Sequence, residues 1–133
     1  MNEIIAFIER NKLGSLATCD GEKADIRPFE LVFHSDRGLF FYTSDGEDVY
    51  RQLRENPNIA FCATDRNYNY TKITGSVSFS DSDADKAKIL SNSQFAKEVF
   101  AGSGTEDMKV FFLPHASCML HYHADGKAVP WQF

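Results

Sequence analysis

Residues 57–79, PNIAFCATDRNYNYTKITGSVSF, decide how this chain is read. Pro57 ends whatever helix precedes it, because its ring disfavours helical geometry in the residue before it. Residues 59–64 then read as one strand and 70–79 as the next, with Asp65, Arg66 and Asn67 as the polar turn between them. The second strand carries Lys72 three residues ahead of a strand glycine, Gly75.

Upstream, residues 48–56 form a short helix with Val49, Leu53 and Tyr50 on its inner face. It is entered from the strand LFFYT at 39–43 through the turn Tyr42-Thr43-Ser44. A strand over 24–34 shows partial alternation at Ile26 and Pro28 against Arg27 and Phe29. Leu31, Val32 and Phe33 then run together, as expected of a strand buried on both faces inside a small barrel. Asp20-Gly21 closes a hairpin with the small-residue strand 14–19. Residues 2–12 repeat apolar side chains at helical spacing, with Asn2 as cap and Gly14 as stop. Downstream, SDSDADKAKIL at 80–90 predicts a helix capped by Ser80 or Ser82, and 93–100 a further helical piece. Strands at 108–113 and 117–123 follow, then a turn at Asp125-Gly126. Many short strands interrupted by two or three helices define a mainly β, α+β chain: an antiparallel barrel in a single domain over 1–133.

Composition narrows the function. With 12 phenylalanines among 133 residues, the chain has ample apolar volume for one core. A net charge of −5 without any run of clustered cations argues against a nucleic-acid surface. No stretch approaches the roughly 20 apolar residues of a membrane helix, and the N-terminus lacks the pattern of a signal peptide. Cys19, Cys62 and Cys118 are odd in number and widely spaced, which suits free, buried thiols in a reducing cytosol.

One constellation carries chemistry. A hydroxyl pair at a strand end, followed at once by a helix N-terminus, offers peptide N–H groups to an anion, and Arg27 could add a forked partner. Two readings stay open from the residues alone: Ser44 as anion contact or as plain helix cap, and Arg27 or Lys72 as phosphate partners or as solvated strand residues.

The order of pieces (R-P-F strand, Y-T-S turn, D-V-Y-R-Q-L helix, N-P, then K-I-T-G) resembles the pyridoxamine 5′-phosphate oxidase-like proteins, the FMN-binding split β-barrel family, in its short single-domain form. The resemblance implies a cytoplasmic homodimer with FMN in a cleft between subunits. It implies that Arg27, Pro28 and Phe29 line the flavin, that Tyr42, Thr43 and Ser44 flank its phosphate with Arg51 and Lys72 as cationic partners, and that Trp131 covers the ring. It further implies a flavin-dependent oxidoreductase, with a non-catalytic binder of flavin or haem as the alternative. No catalytic acid or base is nameable.

The sequence departs from the family at Ser44-Asp45-Gly46-Glu47-Asp48, where short members carry lysines and this chain carries three carboxylates. Ser44 and Glu47 also stand at capping-box spacing. This turn predicts weak FMN binding or a different ligand in the same cleft. His115, Cys118, His121 and His123 do not make a metal cage on a regular strand, since Cys118 faces away from His121 and His123. Asp81, Asp83 and Asp85 read as helix-start acids.

Overall fold

A computed structural model describes residues 2–132 as two antiparallel sheets flanked by short helices. Helix α1 (Glu3–Arg10) is capped as expected, Asn2 Oδ1 accepting the Ile4 N–H at 2.7 Å, and it buries Ile4, Ile5, Phe7 and Ile8. Strands β1 (Leu13–Asp20) and β2 (Lys23–Glu30) form the first hairpin. Then come β3 (Phe33–Ser35), β4 (Gly38–Ser44), α2 (Asp48–Glu55), β5 (Asn58–Thr64), β6 (Tyr70–Ser76) and β7 (Ser78–Ser80). Helices α3 (Asp83–Asn92) and α4 (Gln94–Val99) precede β8 (Met108–Leu113), β9 (Ser117–His121) and β10 (Ala128–Gln132). The larger sheet runs β10-β9-β6-β5-β1-β2 and the smaller β3-β4-β8-β7.

Two strands read as continuous are each divided between the sheets, and this makes the barrel a split one. The strand expected over 24–34 stops at Glu30. There the Leu31 N–H donates to the Lys12 carbonyl at 2.8 Å, while the next amide, Val32, donates to Phe40 in the other sheet at 2.9 Å. Leu31 faces one core and Val32 the other. The strand expected over 70–79 breaks in the same way at Val77, whose N–H turns to the Pro57 carbonyl at 2.9 Å. An apolar run at a crossover therefore looks like a strand buried on both faces. Close packing at the second crossing explains Gly75: a Cβ there would sit 2.7 Å from the His115 carbonyl oxygen and 3.0 Å from Leu113 Cδ2.

Strand β10 was not among the expected strands; at the end of the chain only Trp131 was singled out, as a cover for the ring. It pairs with β9 from Ala128 opposite His121 to Gln132 opposite Ser117. Pro130 is tolerated because β10 is an edge strand, where a missing N–H costs no ladder bond. At α3 the choice of cap resolves to Ser82, whose Oγ accepts the Asp85 N–H at 3.1 Å. Ser80 instead donates to the Asp85 carboxylate.

Two cores result. Leu39, Phe41 and Phe111 of the smaller sheet meet Leu16, Phe61 and Ile73 of the larger one inside the barrel. Phe40, Tyr42 and Val110, on the opposite face of the smaller sheet, meet Ile89, Ala96 and Phe100 of α3, α4 and the chain beyond. The larger sheet has no such second layer. Its outer face carries cross-strand rows such as Pro28, Ser15, Cys62, Lys72, Met119 and Pro130, every member of which is exposed or half-buried. Cys62 is exposed, Cys19 half-buried and Cys118 buried, so only Cys118 is the fully buried thiol expected of all three.

Candidate functional site

An open groove of about 860 Å³ runs along the free edge of β2. One wall is residues 25–30. The other is Tyr42, Thr43 and Ser44 at the end of β4, continuing into Glu47, Asp48 and Val49 where α2 begins. Lys12, Leu13, Phe95 and Val99 complete it. The walls are tied together at the junction of α3 and α4. There Ser93, the cap of α4, donates from Oγ to Glu30 at 2.5 Å. Burial raises the Tyr42 pKa and the charge of Glu30 adds to the rise, against a lowering by the Ser93 hydroxyl.

Part of the lining is apolar and exposed: Ile26 is 65% and Phe95 64% exposed, and Leu13 and Val99 belong to the same lining. Large apolar side chains left in water together mark a surface suited to a ligand or partner.

The polar residues of β2 are internally satisfied. Arg27 Nη1 donates to Thr18 Oγ1 at 2.7 Å and to the Leu16 carbonyl at 3.3 Å. Its Nη2 donates to Asp25 Oδ2 at 2.9 Å and to Gln52 Oε1 at 3.1 Å. Gln52 Nε2 in turn donates to Asp25 Oδ2 at 2.9 Å, and Thr18 donates to Gln52 Oε1. The Gln52 hydrogen bond first, then the Ile26 N–H and the Arg27 charge, hold the Asp25 carboxyl below its ordinary pKa.

Of the residues expected to line a cofactor, six come together here: Arg27, Pro28, Phe29, Tyr42, Thr43 and Ser44. Phe29 turns partly inward, its ring 5.8 Å from Phe111 and 6.3 Å from Phe41. Arg51, Lys72 and Trp131 lie outside the groove. Arg51 is engaged by Asp20 at 3.2 Å, Glu55 at 3.7 Å and Asp48 at 3.8 Å. Lys72 stands in the middle of the larger sheet's outer face, opposite Cys62 and Met119. Trp131 belongs to β10, at the far edge of that sheet from β2, and packs against the barrel core. The capping box is not formed: Glu47 occupies the cap position of α2 without a side-chain hydrogen bond, and Ser44 contributes only its carbonyl, which accepts the Glu47 N–H at 3.1 Å.

Several residues of the site and its hydrogen-bond network escaped sequence reasoning. Asp25 was legible in principle, two residues before Arg27 and so on the same face of its strand. Gln52 shares the inner face of α2 with Val49 and Leu53, an unusual place for an amide. Phe95 and Val99 form an i, i+4 pair that only the tertiary structure shows to be uncovered. Lys12 gave no signal. Among the described residues no group of three or more His, Cys, Asp or Glu side chains is placed to hold a metal ion, and the His121 ring stacks on Tyr70 at 4.4 Å.

Fold and groove define a split-barrel protein with an open cleft at the edge of its larger sheet. The model of the pyridoxamine 5′-phosphate oxidase family matches residues 1–116, and the chain belongs to that family. No curated protein matches the sequence. Among solved structures, a NimC/NimA family protein from Clostridium acetobutylicum superposes with a TM-score of 0.84 at 17% identity, covering 98% of this chain and 90% of that one. HutZ, a haem storage protein from Vibrio cholerae, gives 0.67 at 18% identity over 84% of this chain and 86% of its own. A pyridoxamine 5′-phosphate oxidase-related, FMN-binding protein from Nostoc punctiforme gives 0.63 at 12% identity over 98% and 94%. At these identities the likeness is one of fold. Among the described residues, no helix is long and apolar enough to cross a membrane.

Proposed function

We propose that the protein binds a flat ring system in the β2 groove without a tight anchor for a phosphate, and that it acts as a cofactor binder and not as an FMN-dependent oxidoreductase. The observation that carries this reading is the fate of the cations. Arg27 is spent on Asp25, Gln52 and Thr18, Arg51 on three carboxylates, and Lys72 stands on another face. The groove meanwhile presents Glu47 and Asp48. A like charge about 4 Å away costs an anion roughly 1 kcal/mol in water and several-fold more when partly desolvated. The exposed apolar side chains of the lining suit a flat ring; its committed cations and its carboxylates do not suit a phosphate. Relatives of this fold carry different flat cofactors by name, FMN in one and haem in another, which supports a ring-binding groove whose polar lining varies.

The test compares FMN with riboflavin, which shares the ring and lacks the phosphate. Fluorescence titration should give equal affinities or a preference for riboflavin, and a haem titration should be followed alongside by absorbance. FMN held at least tenfold more tightly than riboflavin would refute the reading.

One observation favours FMN itself. No side chain caps the N-terminus of α2, which adjoins the groove; the Tyr50 N–H donates to the Glu47 carbonyl at 3.2 Å, and the positive end of the helix favours an anion there. On that reading the cofactor supplies hydride transfer at its own ring, and this chain positions it with Pro28, Phe29 and Tyr42. Reduction of bound flavin by NADH or NADPH would favour it.

A second copy of this chain is the proposed partner. Across the outer rows of the larger sheet, Pro28 to Pro130 and Ile26 to Gln132, Lys72 is the sole formal charge, and small residues such as Ala17, Ala60 and Ser15 leave a flat surface. Depletion of charge is the mark of an interface centre. Unpaired thiols suit a cytosolic location. Sedimentation of the purified protein should give the mass of two chains; a monomer at micromolar concentration would remove this part of the proposal.

A further inference from the structure

We infer that Asp25 sets the charge selectivity of the groove, holding Arg27 in an internal ion pair and so withdrawing the cation that an anionic ligand would need. The inference deepens the groove reading above and rests on it. Arg27 lines the groove, yet both of its terminal nitrogens already donate, Nη1 to Leu16 and Thr18, Nη2 to Asp25 and Gln52. A guanidinium recognises phosphate through two parallel N–H bonds, and neither terminal nitrogen is left uncommitted for that fork.

Asp25 is the charged member of the lock. It shares a strand face with Arg27, and its Oδ2 takes hydrogen bonds from both Arg27 Nη2 and Gln52 Nε2, each at 2.9 Å. Its Oδ1 accepts the Ile26 N–H at 2.9 Å. Gln52, 1% exposed, closes the ring by pointing its own oxygen at Arg27, so the carboxylate and the guanidinium are both bonded to one buried side chain. The side chain of Asp25 is 43% exposed and that of Arg27 only 20%. An anion approaching from the groove therefore meets the carboxylate before the cation. With Glu30, Glu47 and Asp48 also in the lining, Lys12 is left as the groove's other cation.

Removing the Asp25 charge should convert the groove into an anion receptor. Asp25→Asn keeps an oxygen for the Ile26 N–H while removing the negative charge that pairs with Arg27. Wild type and variant would be titrated with inorganic phosphate while the Arg27 side-chain N–H resonances are followed by NMR, and in parallel with FMN and riboflavin. The variant should respond to phosphate at about tenfold lower concentration and raise its FMN-to-riboflavin preference by a similar factor. Asp25→Glu, which retains the charge, should behave as wild type, and adding Arg27→Met to Asp25→Asn should abolish the gain. Asp25→Ser serves if the asparagine variant unfolds. Unchanged phosphate response and unchanged preference in a folded, charge-free variant would overturn the inference. If wild type takes up neither flavin, the ring-binding reading fails, and the phosphate titration still decides the role of Asp25.

Discussion

The two sheets are built on opposite plans. The smaller is covered on both faces, by the barrel core and by α3 and α4, so every residue of β4 from Gly38 to Thr43 is buried. The larger is covered on one face, and β5 alternates between buried and accessible positions along its length. The two surfaces proposed to meet other molecules lie on the second plan: the free edge of β2 with its groove, and the outer face, whose central rows carry Lys72 as their one formal charge. The smaller sheet supplies the rigid wall against which that edge is held, through Tyr42 and the Ser93 bridge to Glu30.

The contrast is broken most directly in the smaller sheet. Phe41 stacks on Phe111 at 5.2 Å and meets Phe61 edge-on at 5.5 Å. Phe41→Ala should lower stability by about 3–5 kcal/mol in urea unfolding, whereas Thr64→Ala on the open face should change it by about 0.5 kcal/mol or less. Equal effects would show that the two sheets are not covered differently.

A smaller effect is expected at the clamp that fastens α3 to the smaller sheet. Arg37 lies 5.2 Å from the rings of both Phe40 and Phe112 and donates twice to Asp85, at 2.9 and 3.0 Å. Arg37→Ala leaves a buried carboxylate short of its partner and should cost about 1–3 kcal/mol. Burial by itself raises the pKa of Asp85, but hydrogen bonds from Arg37 and Ser80 outweigh it and hold the carboxyl below the ordinary value. A carboxyl depressed in the folded state adds stability that is fully present above its unfolded pKa, about pH 4, and is lost as pH falls through the folded value. Wild type should therefore lose stability on acidification below about pH 4, and Arg37→Ala should lose less over the same range. A variant with the same acid slope as wild type would remove the clamp from the account.

On the open face, Ala60→Glu should leave the stability of the single chain within about 0.5 kcal/mol while abolishing the proposed pairing of two copies in sedimentation. The smallest perturbation sharpens the same line. Cys62 is exposed on the outer face, whereas burial pushes the Cys118 thiol up to about 12. A thiol reagent should label Cys62 in the native protein and reach Cys118 only on unfolding. Protection of Cys62 that disappears on dilution would point to the partner copy.

The smaller sheet was the more legible one. LFFYT and the strand at 108–113 announce themselves because a strand buried on both faces must be apolar at every position. The apolar run at 31–33 carried the same message but misplaced it, since a chain crossing between sheets also turns consecutive side chains into two cores. Much of the groove was legible through the R-P-F and Y-T-S pieces. The ring of hydrogen bonds that engages Arg27 was not, because Asp25, Gln52 and Thr18 are polar residues of ordinary types until their partners are known. Lys72 was read as part of the site from its place before Gly75, yet period-two geometry sets it on the outer face, three strands from β2.

Periodicity, turn chemistry and charge are local properties, so the class of fold, the two strands within 57–79 and the acidic turn at 45–48 are legible along the chain. Which charges answer one another emerges only on folding. Arg27 and Asp25 are close in the chain, but Gln52 and Thr18 reach them from a helix and another strand. A cation's availability to a ligand depends on the whole set of neighbours within hydrogen-bond reach, and that set exists only once the chain has folded.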